Sequence, residues 1–208
     1  MLNYLNWPTF TAGHSMAIDP SKFHPINVAD TCSVWNILSS PRLNAAAREA
    51  RCDFCVTSFV QYECLIKPRK SILPSEQTLM DRLRTEQRRG AFQAHSCGIE
   101  DLQAIEILEK RKTLGKGELS SIAFAMKIRQ GFITDDRKAL QLAKDSGHAN
   151  AQTTPHLFSW LIFTGRLGDG DKDTVIEQHV DAGRHIARHL QTAYEMALQC
   201  RLNSTVRS

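Results

Sequence analysis

The stretch from Gly115 to Asp136 limits this chain more than any other. Gly115 and Gly117 flank Lys116 ahead of an apolar-periodic helix from Leu119 to Gln130, and Gly131 opens a short run, Phe132-Ile133-Thr134, that stops at Asp135 and Asp136. The glycines free the backbone before the helix, Glu118 falls in its first turn, and Gly131 is expected to end it. If the strand runs back along its helix, as crossover units do, its end returns to the helix start. Glu118 then becomes a spatial neighbour of Asp135 or Asp136.

The same alternation runs through the chain. Ile26-Asn27-Val28-Ala29 reads as a strand ending at Asp30 and Thr31, followed by a short helix through Val34, Trp35, Ile37 and Leu38. An alanine-rich helix over 44–50 follows, then the continuous-apolar strand Phe54-Cys55-Val56-Thr57, with Ser58 as the expected cap of a helix carrying Phe59, Tyr62 and Glu63. Helices from Pro74 to Gly90 and over 99–112, a short segment at 91–97, a helix after Asp136 and a last strand at 149–154 complete the pattern. The fold class is therefore α/β, a mainly parallel sheet flanked by helices. Residues 1–25, with Trp7, Phe10 and Phe23 among prolines, read as an irregular arm, and the main domain spans 26–165.

Beyond the 165–173 loop, apolar or small residues recur at Ile176, Val180, Gly183, Ala187, Leu190, Tyr194 and Ala197. These alternating steps of four and three predict one long C-terminal helix over 173–203, packed on the domain or on a second copy of the chain as a homodimer. At 208 residues and 42% hydrophobic content the chain can bury an ordinary core, and a net charge of +4 permits nucleic-acid binding without demanding it. Six cysteines without scaffold spacing point to reduced thiols. No apolar run approaches the ~18 residues of a membrane span, so no membrane partner and a cytoplasmic location are expected.

Asp30, Glu63, Glu118 and the Asp135/Asp136 pair fall at strand ends and helix starts, where a parallel sheet puts its ligand site. Two carboxylates ~5 Å apart repel by about 3 kcal/mol at an effective dielectric of ~20, so such a cluster calls for a counter-charge. An all-oxygen set favours Mg2+ or Mn2+, which activates water and shields a phosphoryl oxygen. Each residue also has a plainer role: Asp30 and Asp136 as helix caps, Glu118 as a helix-dipole partner, Glu63 as a surface glutamate.

Val28-Ala29-Asp30-Thr31, Thr57-Ser58 leading to Glu63, Gly117-Glu118 and Ile133-Thr134-Asp135-Asp136 together resemble the PIN-domain family of metal-dependent nucleases, which includes the VapC-type toxins of toxin–antitoxin pairs. The resemblance covers about 26–165. It implies a Mg2+- or Mn2+-dependent endoribonuclease with Asp30, Glu63, Glu118 and Asp136 as catalytic carboxylates and Asp30, Glu118, Asp135 and Asp136 around the metal. Asp136 aligns better than Asp135 with the family's fourth acidic position. The third position departs from the toxin pattern, since Glu118 stands where those members more often carry Asp. Thr31, Ser121 and Thr134 would support the acids. RNA is the implied substrate and an antitoxin protein a possible partner.

Lys116, Lys67, Arg69 and Lys70 lie beside the acidic motifs and would hold RNA phosphates, although a solvated surface explains basic clusters equally well. A catalytically inactive PIN-like RNA-binding or protein-interaction module is the alternative function, and a phosphohydrolase on another doubly wound fold a third. Cys52, Cys55, His95 and Cys97 offer a weaker zinc pattern. His179, His185 and His189 are expected to pack or face solvent.

Overall fold

In the computed structural model, residues 18–205 are described. The arm residues Trp7, Phe10 and Gly13 lie outside that range. Five parallel strands, β1 (Ile26–Ala29), β2 (Asp53–Thr57), β3 (Gln93–His95), β4 (Gly131–Ile133) and β5 (Ala151–Gln152), form one sheet in the order β3-β2-β1-β4-β5. The chain first builds outward from β1 to β3, then crosses to the other side of β1 for β4. The reversal falls between β1 and β4, where open parallel sheets leave a crevice at their carboxyl ends.

Both faces are covered, as near-continuous apolar strands require. On one face Ala29, Phe54, Val56 and Ile133 pack with α1 (Thr31–Ser39), α2 (Pro41–Glu49) and α4 (Pro74–Arg88), together with α8 (Thr154–Phe163). On the other, Val28 and Phe132 meet α5 (Ile99–Arg111), α6 (Lys116–Ile128) and α7 (Arg137–Asp145). The helix α3 (Ser58–Leu65) follows β2 directly and touches α6. Phe23, from the described end of the arm, stacks on Trp160 of α8 at 5.4 Å between ring centroids.

Three local expectations need correction. Thr57, not Ser58, caps α3, its hydroxyl accepting from the Val60 amide. The helix α6 ends at Arg129, which takes the left-handed conformation at φ +54°, so Gly131 does not end it but begins β4. Gly131 is needed for another reason: a β-carbon there would strike the buried Asn27 side chain, which Gln152 holds by a 2.7 Å hydrogen bond.

The single helix expected over 173–203 is two. α9 (Asp169–Asp181) stops before Gly183, whose φ of +69° turns the chain, and α10 (Ala187–Thr205) is the long C-terminal helix. The break splits the stripe. Leu190 and Ala197 are buried, while Val180 is 57% exposed. α10 packs chiefly on α8, so the domain itself covers the buried half.

Candidate functional site

Asp30 ends β1 and caps α1. One carboxylate oxygen accepts the Ser33 amide at 2.9 Å, the other accepts the Thr134 hydroxyl at 2.5 Å, and the Cys32 thiol lies 3.1–3.2 Å from both. The side chain is fully buried. Burial, more than these hydrogen bonds can offset, pushes its pKa up to about 7, and Asp135 adds a smaller upward push. The cap and the site role thus coincide in one residue.

Glu118 and Glu63 meet at the start of α6. Glu63 accepts the Thr31 hydroxyl on one oxygen and the Gly117 amide, at 3.2 Å, on the other. A β-carbon on Gly117 would run into the Glu63 carboxylate, and one on Gly115 would run into that of Glu118. Both glycines therefore make room for acids. Oε2 of Glu118 is buried with no hydrogen-bond partner among the described residues. Burial raises the Glu118 pKa, and the negative charges of Glu63 and Asp136 raise it further, against a partial offset from the backbone amides of Glu118 and Gly115. The crossover geometry has brought the end of β4 back to the head of α6.

The two neighbouring aspartates divide their work. Asp135 accepts the Asn36 amide at 2.7 Å and both the backbone amide and hydroxyl of Thr154, at 2.8 and 2.6 Å. These bonds engage both of its oxygens, tying β4 to α1 and α8. Asp136 faces Glu118 electrostatically and caps α7 through one oxygen, Oδ1, which accepts from Lys138 and Ala139. Of the supporting hydroxyls, Thr31 steadies Glu63 and Thr134 bridges Asp30 to the Asp136 amide, while Ser121 reaches the Ala29 carbonyl at 3.5 Å.

The basic residues separate similarly. Arg69 donates to the Glu63 and Cys64 carbonyls at the end of α3, so it braces that helix rather than presenting a free cation to RNA. Lys116 is half exposed and paired with Glu109 at 2.6 Å. Lys67 and Lys70 are exposed. A groove of about 600 Å³ opens beside Glu63, lined by Phe59, Tyr62 and Lys67 on one side and by Gly115 and Lys116 on the other.

Sequence reasoning missed a second layer. Arg184, just past the Gly183 turn, donates through Nε to the Asn36 side chain at 2.8 Å, and Asn36 holds Asp135. His179 is fully buried between the Val175 and Asn36 carbonyls, a packing role, with burial lowering its pKa. Asn36, polar between the apolar Trp35 and Ile37 of α1, was the one available sign. His95 stacks on Phe124 at 5.0 Å, away from any zinc arrangement.

As placed, no three His, Cys, Asp or Glu side chains among the described residues stand close enough to chelate one ion. The chemistry of the set nonetheless fits a hard cation: an unpartnered buried carboxylate oxygen on Glu118, like-charged neighbours in Glu63 and Asp136, and Asp30 behind them. Asp135, with both oxygens engaged, fits as a positioning residue; Asp30, whose oxygens are also both engaged, would meet an ion only by releasing one of those bonds. Comparison with protein-family models gives no match, and comparison with curated proteins gives none.

Proposed function

We propose that this protein is a PIN-like, Mg2+- or Mn2+-dependent endoribonuclease acting through Asp30, Glu63, Glu118 and Asp136. The observation that carries the reading is Glu118, whose buried, unpartnered oxygen is pressed by two like charges at the carboxyl end of a parallel sheet. A half-buried carboxylate with one oxygen shut off from water and like charges beside it is stabilised by a cation. When bound, the cation would supply an activated water and charge shielding at the scissile phosphate.

The chain's own residues do the rest. Glu118 and Asp136 approach from the α6 head and the β4 end, and Thr134 fixes Asp30 and the Asp136 backbone together. Glu63, oriented by Thr31 and the Gly117 amide, would accept a proton from an attacking water. Lys67, Lys70 and Lys116 would hold phosphates at the rim. A cytoplasmic toxin restrained by an antitoxin protein is part of the same proposal.

Mn2+ titration calorimetry and cleavage of a labelled RNA test it, using wild type and Glu118→Gln. Wild type should bind Mn2+ and cleave only with metal, and the variant should lose both. Cleavage that persists in EDTA, or Mn2+ uptake unchanged in Glu118→Gln, refutes the assignment. The scatter of the acids beyond chelating range favours a second reading, a PIN-like RNA-binding module without catalysis. RNA binding with no metal-dependent cleavage would select it.

A further inference from the structure

The groove beside Glu63 is built unlike the surface around it. Phe59, Tyr62 and Glu63 of α3, followed by Ile66 at its C-cap, fall at i, i+3, i+4 and i+7, on the side away from the fully buried Val60 and Cys64. Where a helix face emerges from the core at its outer edge, it usually carries polar residues. Here it carries Tyr62 at 46% exposure and Ile66 at 65%. Phe59 is partly buried against the α6 cluster, which fixes one aromatic wall in place.

We propose that this groove receives one unpaired base of the RNA, stacked on Tyr62 and Phe59, with Lys67 on a flanking phosphate, so that the substrate is single-stranded where it reaches Glu63. The inference rests on the ribonuclease reading and adds how the strand is held. Three observations carry it. The volume, about 600 Å³, suits a ligand of one-nucleotide size. Aromatic walls offer any base a stacking face, available only once the base has left its own stack. Lysines border a groove whose inner end is acidic, so charge complementarity exists at the rim alone and sets the direction of the strand: phosphates outside at Lys67, the reacting phosphate inward toward Glu63.

The test is fluorescence anisotropy of the full-length protein in EDTA, with a short fluorescein-labelled oligoribonucleotide, single-stranded or annealed to its complement. Single-stranded RNA should bind and the duplex should bind much more weakly. Tyr62→Ala should weaken single-strand binding between about fivefold and a hundredfold, and Tyr62→Trp should restore it. Lys67→Gln should weaken binding and lower the slope of log affinity against log salt by about 1. Because Tyr62 is half exposed, its variants keep the fold, and an unchanged melting curve confirms that. Equal affinity for duplex, or full affinity in Tyr62→Ala, overturns the proposal and leaves the groove to a protein partner. If Tyr62→Ala binds normally while wild type still cleaves RNA with Mn2+, only the base subsite falls. If wild type neither binds nor cleaves RNA, the ribonuclease reading falls with it.

Discussion

Removing the charge of Asp30 should make the metal-free protein more stable at alkaline pH. The wild-type carboxyl titrates near 3.8 when exposed and about 7 in the fold, so the folded state holds a proton that the unfolded chain has released. Stability from this group is therefore complete below pH 3.8, declines as pH rises, and is fully lost above 7. At about 1.4 kcal/mol per pH unit, the fall between pH 5 and pH 8 is about 3 kcal/mol. Asp30→Asn keeps the oxygen that accepts the Ser33 amide, loses the favourable sense of the Thr134 bond at a cost of about 1 kcal/mol, and has no charge to bury. His148, His156 and His179, all with lowered pKa values, push wild-type stability the opposite way as pH rises toward 6.5. The variant shares those histidines, so the difference between the two proteins isolates Asp30. Urea denaturation in EDTA should show the variant near or slightly below wild type at pH 5 and about 2 kcal/mol above it at pH 8. A difference that does not change between the two pH values would refute the buried-charge argument. Saturating Mn2+ should restore wild type at pH 8 and leave the variant where it was.

Asp135→Asn should destabilise the fold by about 1–3 kcal/mol, since it disturbs the bonds to Asn36 and Thr154, yet keep most Mn2+ affinity. Asp136→Asn should do the reverse, retaining its capping oxygen and losing Mn2+ uptake; calorimetry and urea titration together decide the order. Gly117→Ala should leave stability unchanged or raise it by up to about 1 kcal/mol, because the site is helical, while displacing the Glu63 carboxylate and lowering turnover. Unaltered kcat would remove Glu63 from the reaction. Val180→Glu should change monomer stability by less than about 0.5 kcal/mol, whereas Leu190→Glu, placed in the core, should prevent folding. Light scattering of wild type at micromolar concentration tests the homodimer, and a monomer there ends it.

The sequence exposed the acids that sit where a short apolar run ends and a capping signal begins. Asp30, Glu118 and Asp136 were readable because strand end and helix start are both local patterns. Their company was also readable, since a crossover unit must bring Asp136 back to Glu118. What escaped was non-local. Asn36 meets Asp135 across 99 positions and Arg184 across 148, and no spacing rule links them. The break at Gly183 was hidden because the four-and-three rhythm runs straight through a residue that can either continue a helix or turn it. Arg69 misled for a different reason: within Lys-Pro-Arg-Lys it looks like its neighbours, but its guanidinium turns inward to carbonyls that end α3.

The strand order has a consequence for synthesis. The strands β1, β2 and β3 are complete once His95 is made, but the other edge of β1 waits for Gly131–Ile133. Until then Asn27, Val28 and Ala29, wholly buried in the finished protein, border an unpaired strand edge. At ~5–20 residues per second, the interval lasts about 2–8 s on the ribosome. A nascent chain of this kind is most exposed to wrong partners while the second half of its sheet is still being made. Slowing elongation while residues 96–133 are emerging from the ribosome should lower soluble yield, while the same delay once residue 152 has emerged should not.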